Sequence, residues 1–138
     1  MNNTLDHVIA HAKSPLKDTR VVEAIKTGQW ARQGDVYIVA IDPAEVENWK
    51  PTDNRQLAPG ETAGSRHTVD SSVTVLANPG GYTTQVISRG VARLLGPQIQ
   101  AKDRFTVSHP EHADISLPAG NYQVCFQCDP QTQKRVQD

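Results

Sequence analysis

The sequence predicts a mainly β domain, a small barrel or sandwich, with a pair of short helices at its N-terminus. Three observations carry this expectation. Val36-Tyr37-Ile38-Val39-Ala40-Ile41 is a continuous apolar run rich in β-branched residues and too short for an ordinary helix, so it reads as a buried strand. From Arg66 onward, short β-rich stretches are divided by Gly/Pro turns at Asn78-Pro79-Gly80-Gly81, Gly96-Pro97, His109-Pro110 and Pro118-Ala119-Gly120. Helical periodicity is confined to residues 1–28. The chain has 138 residues, 37% of them hydrophobic and 21% charged, which describes one domain with a core large enough to stand without metal or disulfide staples.

Within residues 4–13, Leu5, Val8, Ile9 and Ala12 recur at helical spacing behind Thr4 as N-cap. Ser14-Pro15 interrupts the pattern. A second, imperfect stripe of Leu16, Val21, Val22 and Ile25 ends at Gly28, a residue suited to the left-handed position after a helix. Asp42-Pro43 caps and opens one helical turn over 43–48, and 51–59 is polar loop. Strands are expected at 67–76, 83–88, 91–95, 104–108, 114–117 and 121–128. The whole of 1–138 is thus a single domain: a helical segment 1–28, a β core 34–128 and a polar tail 129–138 whose end is expected to fray.

Composition narrows the function. With 14 basic against 15 acidic residues and a net charge of −1, there is no excess of cations for holding nucleic acid by bulk charge. No apolar run reaches 18 residues, and the first residues lack the basic and apolar regions of a signal peptide, so a cytoplasmic protein with no membrane partner is expected. Cys125-Phe126-Gln127-Cys128 has the spacing of a redox or zinc pair. In a strand, however, its two sulfurs face opposite sides, which favours Cys128 as a core residue and Cys125 as an incidental thiol. His7 and His11 lie one helical turn apart but lack the further ligands of a zinc motif.

Two segments concentrate chemistry. Gly60-Glu61-Thr62-Ala63-Gly64-Ser65-Arg66-His67 is a glycine-rich loop entering a strand, with a guanidinium able to fork onto a phosphate and an imidazole beside it. Ser108-His109-Pro110-Glu111-His112-Ala113-Asp114 gathers two imidazoles and two carboxylates, a composition that binds transition metals or orients a proton-transferring His. Each also reads as plain turn chemistry.

The stretches Gln33-Gly34-Asp35-Val36, Gly60-Glu61, Gly64 to His67, and His109 through Tyr122 resemble a widespread uncharacterised family of small bacterial and phage proteins. Its members carry Gln-Gly-Asp-Val, then Gly-Glu-x-x-Gly-His-x-His, then His-x-Glu-His-x-x-Ile-x-Leu-Pro-x-Gly-x-Tyr. The resemblance spans residues 32–136, including Arg135-Val136, and implies no established activity. The Gly-x-His-x-His pattern also looks like a cupin barrel, where imidazoles from facing strands hold a metal. This chain departs at Ser65, which stands where the family has its first His; a hydroxyl is a poor ligand for a borderline metal.

The leading expectation is therefore a non-enzymatic module, a homo-oligomer without a cofactor, that holds a small anionic, nucleotide-like ligand with Ser65, Arg66, His67, His109, Glu111 and His112. The family's distribution adds a phage or host nucleotide-sequestering role. The alternative is a cupin-like enzyme with a divalent transition metal on His67, His109 and His112 and with Glu111 as fourth ligand or general base. A third expectation is a virion assembly protein, its contacts made by the N-terminal segment and Gln123, Gln127, Gln131 and Gln133.

Overall fold

A computed structural model of the chain describes residues 20–88, 91–128 and 134–135. The periodic segment 4–13, with His7 and His11, lies outside the described residues, as does the tail apart from Lys134 and Arg135. The described strands are β1 (Arg20–Val21), β2 (Trp30–Gln33), β3 (Val36–Ile41), β4 (Pro51–Thr52), β5 (Thr68–Val69), β6 (Thr74–Leu76), β7 (Thr83–Ser88), β8 (Val91–Ala101), β9 (Phe105–Ser108), β10 (Ile115–Leu117) and β11 (Gly120–Gln127). They form a four-stranded sheet, β1-β10-β9-β5, and a seven-stranded sheet, β2-β3-β11-β8-β6-β4, with β7 paired on β8. The fold is mainly β in two sheets, and among the described residues no barrel closes.

Alternation along the strands places the core between the sheets. Val36, Ile38 and Ala40 of β3 and Tyr122, Val124 and Phe126 of β11 join Phe105, Val107, Ile115 and Leu117 of the small sheet in one buried cluster. Phe105 and Tyr122 meet edge to face, with 5.3 Å between ring centres. Tyr122 donates its hydroxyl proton to the carbonyl of Pro118 at 2.6 Å, and burial pushes its phenol up to about 12.

Three expectations are corrected. Residues 20–28 are not the end of a helix: β1 is an extended segment running parallel to β10, and then the chain turns at Gly28. The amides of Arg20 and Val22 donate to the carbonyls of Asp114 and Ser116, so an edge hydrogen-bond partner more than ninety residues away overrides a weak local stripe. Gly96-Pro97 does not end a strand. The two residues oppose Val124 alone, a bulge inside β8. Gln123 donates its amide to the carbonyls of Gly96 and Pro97 and receives the Gln98 amide, which satisfies the broken ladder. Gly96 must be glycine here, because a Cβ would sit 2.9 Å from the Phe126 ring. Finally, within the tail that is expected to fray, Arg135 forms an isolated bridge with Cys128.

Other expectations hold. β3 and β7 have the expected bounds, and Pro43–Glu45 forms a single helical turn in which Glu45 accepts the Asp42 amide at 3.1 Å. Cys128 is in the core cluster; Cys125 is buried on the outer face of the large sheet, and neither forms a disulfide. Among the described residues, no helix is long and apolar enough to cross a membrane.

Candidate functional site

The β2–β3 hairpin builds the centre of the site. Gln33 and Val36 pair across a two-residue turn, Gly34-Asp35, with Gly34 at φ +56° as hairpin turns of this length favour. The turn therefore fixes Asp35 at the end of the large sheet and directs Gln33 inward. The glycine-rich loop closes over them. Ala63–Ser65 is a short helical turn, and the amide of Leu57 donates to the His67 carbonyl, tying the loop to the chain before it. Gly60 at φ +123° has no room for a side chain, since a Cβ would lie 2.7 Å from the Ser65 hydroxyl.

Around this hairpin is a buried chain of polar groups. Gln33 donates its amide to the carbonyls of Val107 and Ala113, at 3.1 and 2.8 Å, so its oxygen is the atom that faces Nδ1 of His67 at 2.8 Å. That oxygen can only accept, hence Nδ1 carries the proton. On the other side of the ring, Nε2 lies 3.4 Å from Oδ1 of Asp35. Neither of these two buried atoms makes a well-formed hydrogen bond. The second Asp35 oxygen is held by Arg135, with Nε and Nη2 each at 2.8 Å. Arg135 also donates to the Pro59 carbonyl at 2.7 Å and lies 5.0 Å over the Phe126 ring. Burial alone would raise the Asp35 carboxyl, but the facing His67 ring and the Arg135 guanidinium outweigh it and hold the group below the usual carboxylate range.

The His-rich loop supplies the other imidazoles. His67 and His109 are 4.3 Å apart between ring centres, His109 and His112 are 4.5 Å apart, and His67 and His112 6.4 Å. The expected clustering of these three rings is thus present. Nδ1 of His109 accepts the backbone amides of Glu111 and His112, at 3.0 and 3.2 Å, so its proton sits on Nε2 and is donated to the Gly64 carbonyl at 3.1 Å. Burial, and after it the neighbouring imidazoles, lowers its pKa, although the Gly64 bond opposes the shift. Both ring nitrogens of His109 are therefore engaged in holding its loop to the glycine-rich loop. A metal on it would have to displace one of these bonds. Among the described residues, no three His, Cys, Asp or Glu side chains are grouped as metal ligands.

The six expected site residues separate by exposure. Ser65, His67 and His109 are buried, His112 is half-buried, and Arg66 and Glu111 are exposed. Ser65 places its hydroxyl 3.4 Å from that of Thr62 and 3.5 Å from Arg135. Sequence reasoning did not assign roles to Gln33, Asp35 and Arg135. Their only signal was the Gln33-Gly34-Asp35-Val36 and Arg135-Val136 stretches that carried the family resemblance.

Beside this network is a recess of about 210 Å³ lined by Arg20, Arg32, Gln33, Gly34, His112 and Ala113, with Ile115 beneath. Among the described residues, no carboxylate lines it and neither guanidinium pairs with one. Arg32 is held by its Nε bond to the Gly34 carbonyl at 2.7 Å and by the ring of Tyr37, 5.4 Å away.

No curated protein and no solved structure matches the chain. One family model does, over residues 32–127, and it takes in the hairpin turn, the glycine-rich loop and the His-rich loop. The chain belongs to that family, a domain of unknown function designated DUF8820.

Proposed function

We propose that this protein is a non-enzymatic binding module for a small anionic, nucleotide-like ligand, with the anionic group seated in the recess of Arg20, Arg32 and His112. One observation supports the reading above the rest: two guanidiniums without a described carboxylate partner border the same recess beside an imidazole. Arginine forks match phosphate and carboxylate oxygens in pairs, and the Nε bond of Arg32 leaves its terminal nitrogens for a ligand. At about 210 Å³ the recess suits an anionic group rather than an entire drug-sized ligand, whose pockets run from ~300 Å³ upward. The His67–Asp35–Arg135 chain serves as the support that keeps Gln33 and the His-rich loop in place.

Calorimetric titration with inorganic phosphate tests this. Binding that Arg32→Ala weakens tenfold or more, with Arg66→Ala unaffected, is the expected result. Loss on Arg66→Ala alone would move the ligand to the glycine-rich loop, and no binding to either protein would remove the reading.

Assembly into a homo-oligomer is favoured by a separate observation. β7 is a six-residue edge strand without charge or proline, paired among the described residues only on β8, and its Val86 is 74% exposed. Such an edge is a template for a second copy. Light scattering should give a multimer that Val86→Lys dissociates; a monomeric wild type would dismiss it.

A further inference from the structure

The outer face of β2, β3, β11 and β8 carries a second recess, of about 250 Å³, lined chiefly by Trp30, Tyr37, Val39, Arg93, Cys125 and Phe126. Its floor is apolar. Val39 and Cys125 are buried there, and burial pushes the Cys125 thiol up to about 11, so it stays an uncharged packing group. Its walls are two half-buried aromatic rings, Trp30 and Tyr37, set edge to face at 5.1 Å. Across from them stands Arg93, whose Nε donates to Gln85 at 2.7 Å and which has no carboxylate partner among the described residues.

This groove adjoins the cationic recess. Arg32 lines the cationic one and Tyr37 the aromatic one; the two residues are opposite each other in the β2–β3 ladder, and the guanidinium lies over the ring. Trp30 is two residues before Arg32 on the same face of β2, roughly 7 Å along the strand. An anion held at Arg32 therefore carries any substituent toward aromatic walls about one ring-length away.

We infer that the aromatic groove is the second half of the same site: the ligand is an anion bearing a planar aromatic ring, of the nucleoside monophosphate class, whose ring packs against Trp30 and Tyr37 while its phosphate stays at Arg20 and Arg32. This rests on the anion-binding reading. Aromatic side chains accept bases of any sequence because every base has a π-face, and Arg93 adds a donor at the rim for ring oxygen or nitrogen atoms. The uncharged floor fits a neutral ring and disfavours a second charged group.

The test compares AMP with ribose phosphate and inorganic phosphate on the whole chain. AMP should bind at least about tenfold tighter than ribose phosphate, the scale of one stacked base. Trp30→Ala should erase that difference and leave the ribose phosphate Kd unchanged. As a check that does not depend on that variant folding, Trp49→Phe leaves Trp30 as the one remaining tryptophan. Its fluorescence should be quenched by AMP and not by ribose phosphate. Equal affinity for AMP and ribose phosphate, without quenching, overturns the aromatic subsite while the anion site stands. Failure of all three probes to bind overturns both.

Discussion

Arg135→Ala tests whether the buried ion pair organises the site. The substitution removes two contacts of 2.8 Å to Asp35, the 2.7 Å bond to Pro59 and the packing on Phe126. The paired side chains are 3% and 4% exposed, so solvent cannot take over the charge left behind. Breaking a buried pair from one side costs about 3–5 kcal/mol, and Asp35 still faces His67 at 3.4 Å, which sets the expectation near the lower end, about 3 kcal/mol. For a domain of this size each kcal/mol moves Tm by about 2–4 °C, which gives a fall on the order of 10 °C. Urea unfolding followed by circular dichroism measures it directly. The double variant Asp35→Asn with Arg135→Met removes both charges and should recover part of the loss, because the penalty lies in the orphaned carboxylate more than in the missing attraction. A change below about 1 kcal/mol for Arg135→Ala would show that Arg135 does not neutralise Asp35, and the account of the network would fall with it.

Gln33→Leu leaves two carbonyls and the His67 Nδ1–H without their partners, and urea unfolding should show a loss of about 2–3 kcal/mol. Gly96→Ala forces a methyl to 2.9 Å from the Phe126 ring, and the same measurement should register about 1–3 kcal/mol. Stability should also fall in mild acid. Because the folded His109 has a lowered pKa, the unfolded chain takes up a proton below about 6.5 that the folded chain does not. Its contribution is therefore complete above that pH and shrinks below it, so Tm should be level from about pH 8 to 7 and decline toward pH 5. A level Tm across the whole span would contradict the buried neutral imidazole. Asp35, with its lowered pKa, keeps its contribution above about pH 4 and loses it as pH falls through the folded value, so it adds nothing to that slope.

What could be read from the sequence was what neighbouring residues decide. β3 and β7 were legible because β-branched runs bounded by turn residues leave few alternatives. The three site imidazoles were legible as loop clusters, and the rings do meet. β2 escaped notice because only Trp30 and Ala31 of its four residues are apolar; it is a strand by virtue of the Gly34-Asp35 turn that folds it onto β3. The stripe ending at Gly28 pointed to a helix because Val21 and Val22 fit one loosely, while the β10 edge that claims them is distant in the chain. Asp35 and Arg135 look in the sequence like two surface charges. Only the fold reveals that they are buried against each other, and that His67 and Gln33 complete the chain of contacts.

The Asp35–Arg135 pair joins positions 100 residues apart, and this separation has a consequence for synthesis. At roughly 5–20 residues per second, Arg135 is made about 5–20 seconds after Asp35. Throughout that interval the nascent hairpin holds a carboxylate that cannot be buried at low cost. The end of the sheet around Gln33 and His67 should therefore stay open until Arg135 has been made, while β3 and β7 are free to form earlier. Ribosome-bound chains stopped before Arg135 should be cleaved by protease at the glycine-rich loop, whereas released chains that contain Arg135 resist.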